Sequence, residues 1–175
     1  MRWVVLLRAV NLGGRNKVPM AELRTLLEEA GYGGVRTYIA SGNVLLDGPR
    51  SKAAVAAELE RLVEDAFGVT TTAVVRKPAE LAALVDGHPF GRDTSRSHVV
   101  FLARPPAKHA LAALAAADHS PDRAAVEGAD VYVQYGGGVQ GARLSAARLE
   151  RLLGVPATHR NWRTVSALAE LAAEA

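Results

Sequence analysis

The chain has 175 residues, 49% of them hydrophobic, with a formal charge of +3 and a pI near 9.5. It contains no cysteine, which excludes disulfides, thiolate metal sites and cysteine nucleophiles, and no apolar run approaches the roughly 20 residues that a membrane-spanning helix needs. The mildly basic balance permits a polyanionic partner without requiring one, and three Phe, four Tyr and two Trp offer few surfaces for stacking bases.

The first apolar run, Trp3–Leu7 between Arg2 and Arg8, predicts a strand rather than a signal peptide, since it is short and lacks a small-residue cleavage site. Pro19 suits the first turn of a helix, whose apolar stripe is Met20, Leu23, Leu27 and Ala30 and whose end falls at Gly31. Val35–Ala40 and Val44–Leu46 read as strands joined by the turn Ser41-Gly42-Asn43. Ser51 can cap a second helix that buries Val55, Leu59, Leu62, Val63 and Phe67 and stops at Gly68, and Val69–Arg76 reads as a strand. The order is β-α-β-β-α-β, the split βαβ of ferredoxin-like folds.

The second half is a looser echo. Pro78–Val85 reads as a helix, His98–Ala103 as a strand and Ala107–Ala117 as an alanine-rich helix. Ala124–Glu127 and Val131–Tyr135 form a hairpin around Gly128-Ala129-Asp130, and helices are expected near Leu144–Leu153 and Asn161–Ala173. A helix is thus expected where the first half has its closing strand. The predicted class is α+β, with two ferredoxin-like units in tandem, residues 1–77 and 78–175, the second carrying an extra C-terminal helix. No residue-level repeat between the halves is visible in the sequence.

The segment Arg8–Met20 is the strongest functional signal. Gly13 and Gly14 let backbone approach a ligand, Arg8, Arg15 and Lys17 supply positive charge, and Asn11 and Asn16 can read hydrogen-bonding edges ahead of a helix start. The same residues would also suit a plain strand-to-helix turn. The loop does not match G-x-x-x-x-G-K-[ST], because its glycines are adjacent and Val18 follows Lys17. A second cluster is Thr158–Thr164. Read as helix, it puts Arg160, Arg163 and Thr164 on one face, where cations near a helix N-terminus call for an anionic partner, either a carboxylate of the chain or a bound ligand. Ser41-Gly42-Asn43 lacks the nucleophile elbow G-x-S-x-G, and Gly136–Gly141, although it spells G-x-G-x-x-G, closes a hairpin rather than opening a βαβ unit. The five histidines show no metal-ligand spacing and read as surface or strand-end residues.

Leu6–Met20, Tyr38–Val44 and Arg160–Val165 resemble the bacterial domain of unknown function 1697 family, across nearly the whole chain. The resemblance implies paired ferredoxin-like units and marks Arg8, Asn11, Ser41, Asn43, Arg160 and Asn161 as motif positions, without implying an activity. Two places depart from the family pattern: Ala40, where Gln is frequent, and Gly141-Ala142-Arg143, where family members often have an Arg-Ser pair before a Lys.

These readings combine into one expectation: a cytoplasmic protein without cofactor, metal or membrane attachment. It would bind an anionic small molecule, such as a nucleotide or phosphometabolite, or nucleic acid. The contacts would come from Arg8, Asn11, Gly13, Gly14, Arg15, Asn16, Lys17, Ser41, Asn43, Arg160, Asn161 and Arg163. One alternative is a cofactor-independent enzyme using Ser41, Asn43 or His98 on a phosphorylated or carboxylated substrate. The other is an interaction module that forms a homodimer through a sheet edge.

Overall fold

A computed structural model describes residues 1–49 and 51–174. The chain packs as two compact units, Met1–Ala83 with Leu168–Ala175, and Leu84–Ala167. The first holds β1 (Arg2–Leu7), α1 (Met20–Glu29), β2 (Gly33–Tyr38), β3 (Asn43–Asp47), α2 (Lys52–Phe67) and β4 (Ala73–Arg76). Then come α3 (Pro78–Asp86), β5 (Ser97–Leu102), α4 (Lys108–Ala116), β6 (Arg123–Glu127), β7 (Asp130–Gln134), α5 (Ala146–Leu153), β8 (Ala157–Asn161) and α6 (Trp162–Ala173).

The two sheets have the same topology. Their strand orders are β2-β3-β1-β4 and β6-β7-β5-β8, with every neighbouring pair antiparallel. Both units are therefore ferredoxin-like, as the element order predicts. In the first, Trp3, Val5, Leu7, Val44, Leu46 and Val75 pack on Leu23 and Leu27 of α1 and on Val55, Leu59 and Val63 of α2. In the second, Val100, Leu102, Val131 and Val133 pack on Leu114 of α4 and on Leu149 and Leu153 of α5. Each such side chain contributes about 1.5–3 kcal/mol on leaving water.

The helix ends follow local chemistry. Gly31, at φ 93°, closes α1 with two backbone bonds, Gly31 N–H to Glu28 O and Tyr32 N–H to Leu27 O. Ser51 and Ser145 cap α2 and α5 by accepting from the amides of Ala54 and Arg148, and both helices end in a left-handed glycine, Gly68 and Gly154.

One expectation fails. The second unit has its closing strand: Ala157–Asn161 pairs with β5 from Leu102 back to His98, and α6 begins only at Trp162. Arg160 is thus a strand residue and does not share a helical face with Arg163. Val69–Arg76 is likewise strand only from Ala73.

The shared topology exposes a residue-level repeat. Val4 pairs with Arg76 and Leu45, and Val99 pairs with Arg160 and Tyr132. Leu6 pairs with Asn43, and Phe101 with Asp130. Leu7 and Leu102 pair with Ala73 and Ala157, whose amides donate to the carboxylates of Glu60 (2.8 Å) and Glu150 (3.1 Å). Arg76 and Arg160 are therefore counterparts, as are Asn43 and Asp130, and all four are buried.

Candidate functional site

Residues 8–19 leave the end of β1 and return to start α1. The path is strained. Ala9, Asn11 and Asn16 hold φ of 56°, 53° and 51°, and Ile39, at the neighbouring hairpin, holds 47°. Among the described residues these are all the non-glycine positions with positive φ. For a β-branched side chain such as Ile39 this is an outlier. Gly13 (54°) and Gly14 (76°) continue the left-handed path, and a Cβ at either would meet nothing within 4 Å, so conformation and open space are what glycine gives here.

Asparagine side chains hold the loop in this shape. The Asn11 amide group donates to Val18 O (2.9 Å) and Ala40 O (2.6 Å), while its oxygen accepts from the Val18 amide (2.8 Å). Asn16 donates to Ala9 O at 2.9 Å, and the Asn11 amide donates to Asn16 O at 2.9 Å. Both side chains are thus occupied with backbone, and they shape the loop. The hairpin is tied in a similar way. Asn43 donates to Tyr38 O (2.9 Å) and Ser41 Oγ (2.8 Å), and Leu7 N–H donates to Gly42 O (2.8 Å). Gly42 sits at φ 86°, where a Cβ would lie 2.5 Å from Val10 Cγ2, so the turn and the loop press directly on each other.

Between them lies a cavity of about 570 Å³, lined by Asn11, Gly14, Lys17, Val18, Pro19, Met20, Thr37, Ile39 and Ala40. That size is within the range of small-molecule sites. The start of α1 opens on it. Pro19 supplies no side-chain cap, and among the described residues the amides of Met20, Ala21 and Glu22 have no acceptor. Free N–H groups, the positive end of α1 and the exposed Lys17 and Arg15 make the surroundings attractive to an anion, with exposed Glu22 the one acid in the first helical turn. Arg8 is half-buried, with its backbone tied to Thr71 and Thr72.

The other cluster belongs to the second unit and is built differently. Arg160 is buried. Its Nη1 donates to Thr158 Oγ1 (2.7 Å) and His159 O (2.8 Å), and burial lowers its pKa to about 10. Asn161 caps α6 by accepting from the Thr164 amide at 2.8 Å. Arg163 is exposed in the first turn of α6.

Three features escaped the sequence reading. His98 and His159, on the paired strands β5 and β8, have ring centroids 5.7 Å apart, with Tyr135 4.8 Å from His98. His88 joins Phe90, Tyr132 and Trp162, its centroid 4.4 Å from Trp162, and its Nε2 is 2.8 Å from Ser97 Oγ. Buried Asp122 holds the glycine-rich loop, accepting from the amides of Gly136, Arg143 and Leu144. The glycines themselves answer to local geometry: Gly138 and Gly141 hold φ of 88° and 75°, and a Cβ at Gly136 would collide with the Pro121 backbone. No group of three or more His, Asp or Glu among the described residues could hold a metal ion, and no helix there is long and apolar enough to cross a membrane.

The family model Protein of unknown function (DUF1697) matches residues 1–132, most of the chain, including the whole of the strained loop. The chain belongs to this family. None of the curated proteins matches it. Among solved structures it is similar to the conserved bacterial protein SP0830 from Streptococcus pneumoniae, with 23% identity and a TM-score of 0.76 over 99% of this chain and 98% of that one. At that identity the likeness speaks for the fold alone. Within the DUF1697 match, Ala40 stands in the cavity wall itself.

Proposed function

We propose that this DUF1697 protein binds a small anionic ligand, phosphate-bearing or carboxylate-bearing, in the cavity between residues 11–20 and 37–40. The reading rests on one coincidence. Three of the four non-glycine residues with positive φ among the described residues, Asn11, Asn16 and Ile39, lie in the two segments that border this cavity, and the fourth, Ala9, stands two residues before the first; such strain tends to be kept at functional sites. In the proposed complex, the amides of Gly14, Met20 and Ala21 face the anion, Lys17 and Arg15 neutralise it, and Asn11, Asn16, Ser41 and Asn43 hold the frame.

Binding is favoured over catalysis by the lining itself: among the described residues Lys17 is its one titratable member, and it has no acid–base partner in the lining. Nucleic acid is the weaker version, since no aromatic side chain lines the cavity for stacking.

Thermal shift with inorganic phosphate, nucleoside mono- and triphosphates and phosphosugars tests the reading. A ligand at about 100 times its Kd adds about 2.7 kcal/mol of stability. That gain should shrink in Lys17→Ala and in Gly14→Val, whose side chain would enter the approach path. Equal stabilisation of wild type and both variants would place the ligand elsewhere and defeat the proposal.

A further inference from the structure

The second sheet ends in β6, and this edge lacks the protection found on the others. β2 carries an irregularity between Gly33 and Arg36 and an Arg36–Glu174 ion pair of 2.9 Å. β4 and β8 each have an amide bonded by a helix carboxylate, Glu60 or Glu150. β6 reads Arg-Ala-Ala-Val-Glu and runs in unbroken register with β7 over five pairs. It has no proline, lysine or bulge, the usual guards of an edge.

The turn fixes which backbone groups point outward. Gly128 and Ala129 form a two-residue connection with Gly128 at φ 61°, the pattern of a type II′ turn, so Glu127 and Asp130 form the hydrogen-bonded closing pair. Alternation then directs Arg123, Ala125 and Glu127 to β7, and the N–H and C=O of Ala124 and Val126 outward. Among the described residues nothing bonds to those outward groups. Beside the edge lies an apolar cavity of about 640 Å³, lined by Pro106, Leu111, Leu114, Ala115, Ala124 and Val126 among others.

We infer that β6 pairs antiparallel with β6 of a second copy of this chain, about a two-fold axis through Ala125. Charge complementarity selects both the occupant and the register. With Ala125 opposite itself, Arg123 faces the partner's Glu127 and Glu127 faces the partner's Arg123. Ala124 and Val126 exchange main-chain bonds with the partner's Val126 and the partner's Ala124. A register centred on Val126 would instead oppose Glu127 to the partner's Ala125 and Arg123 to the partner's Ala129, matching no charge. Arg123 already lies at the edge, 4.8 Å over the Phe90 ring and 3.3 Å from Gln134 Oε1. The added strand closes the open side of the apolar cavity and leaves an isologous interface. This surface belongs to the second unit and is separate from the anion site.

Sedimentation of the full chain tests the pairing. Wild type should show a concentration-dependent species at twice the 18.5 kDa monomer mass. Arg123→Glu and Glu127→Arg should each weaken association about tenfold or more, since each sets like charges opposite one another twice. The equimolar mixture of the two variants, and the double variant, should recover it. Residues 123 and 127 lie four apart on one strand, so recovery cannot come from contact within a chain. A wild type that is monomeric at every concentration overturns the inference. So does a dimer indifferent to both single changes, or one that the mixture fails to restore.

Discussion

Ile39 carries the site argument in a single residue. It is 53% exposed, β-branched and held at φ 47°, so neither burial nor intrinsic preference explains it. An L side chain in this region costs about 1–2 kcal/mol. Asn tolerates the left-handed region better, and Ile39→Asn is therefore expected to raise stability by about 1 kcal/mol, about 2–4 °C in Tm for a chain of this length. A calorimetric scan showing a lower Tm would mean that Ile39 is held by packing rather than retained despite strain. Asn11 shows the limit of reading such residues from sequence. Its charge-free, hydrogen-bonding character was legible, but its role was not, because its acceptor Ala40 O is 29 positions away. Arg160 was legible as an unusual cation, yet its burial and its bond to Thr158 depend on the strand it occupies.

At the scale of elements, the strong local signals were readable. Ser51 and Gly68 bracket α2, Gly31 closes α1, and the Ser41-Gly42-Asn43 turn joins β2 to β3, all from residue chemistry within a few positions. β8 was not readable. Ala-Thr-His-Arg-Asn has one β-branched residue and runs straight into the amphipathic α6, and its extended state is set by pairing with β5. That pairing also brings His98 and His159 together. Loss of hydration is the main force holding both pKa values below 6.5, although part of His159 reaches the surface, and for His159 the neighbouring His98 and the Arg160 charge add to it. The unfolded chain therefore binds protons more readily than the fold does. Stability from this pair is fully present above about pH 6.5 and is lost as pH falls through the lowered values. Urea midpoints between about pH 7.5 and about pH 5.5 should fall in wild type and fall less in the double variant His98→Gln/His159→Gln. An unchanged slope in the variant would assign the acid sensitivity to other groups.

At the scale of the whole molecule, the two units share one plan and differ in its details. Register, capping serines, terminal glycines and the buried arginines repeat between units, but they are few and differently spaced along the chain, which is why the repeat emerged only from strand pairing. One of the differences between the units bears on the site. The connection from β1 to α1 spans residues 8–19, whereas its counterpart from β5 to α4 spans only residues 103–107 and has neither glycine nor asparagine. The longer connection holds three of the four strained non-glycine residues and the Lys17 charge. We therefore expect the proposed binding in the first unit, with the equivalent position of the second inert. Amide chemical shifts of the full chain, followed by NMR during titration with inorganic phosphate and then a nucleoside triphosphate, test this most directly. The account predicts the largest shifts at Gly13, Gly14, Met20 and Ala21, with little change at Ala103 and Lys108. No shift at the first group, or equal shifts at the second, would contradict it.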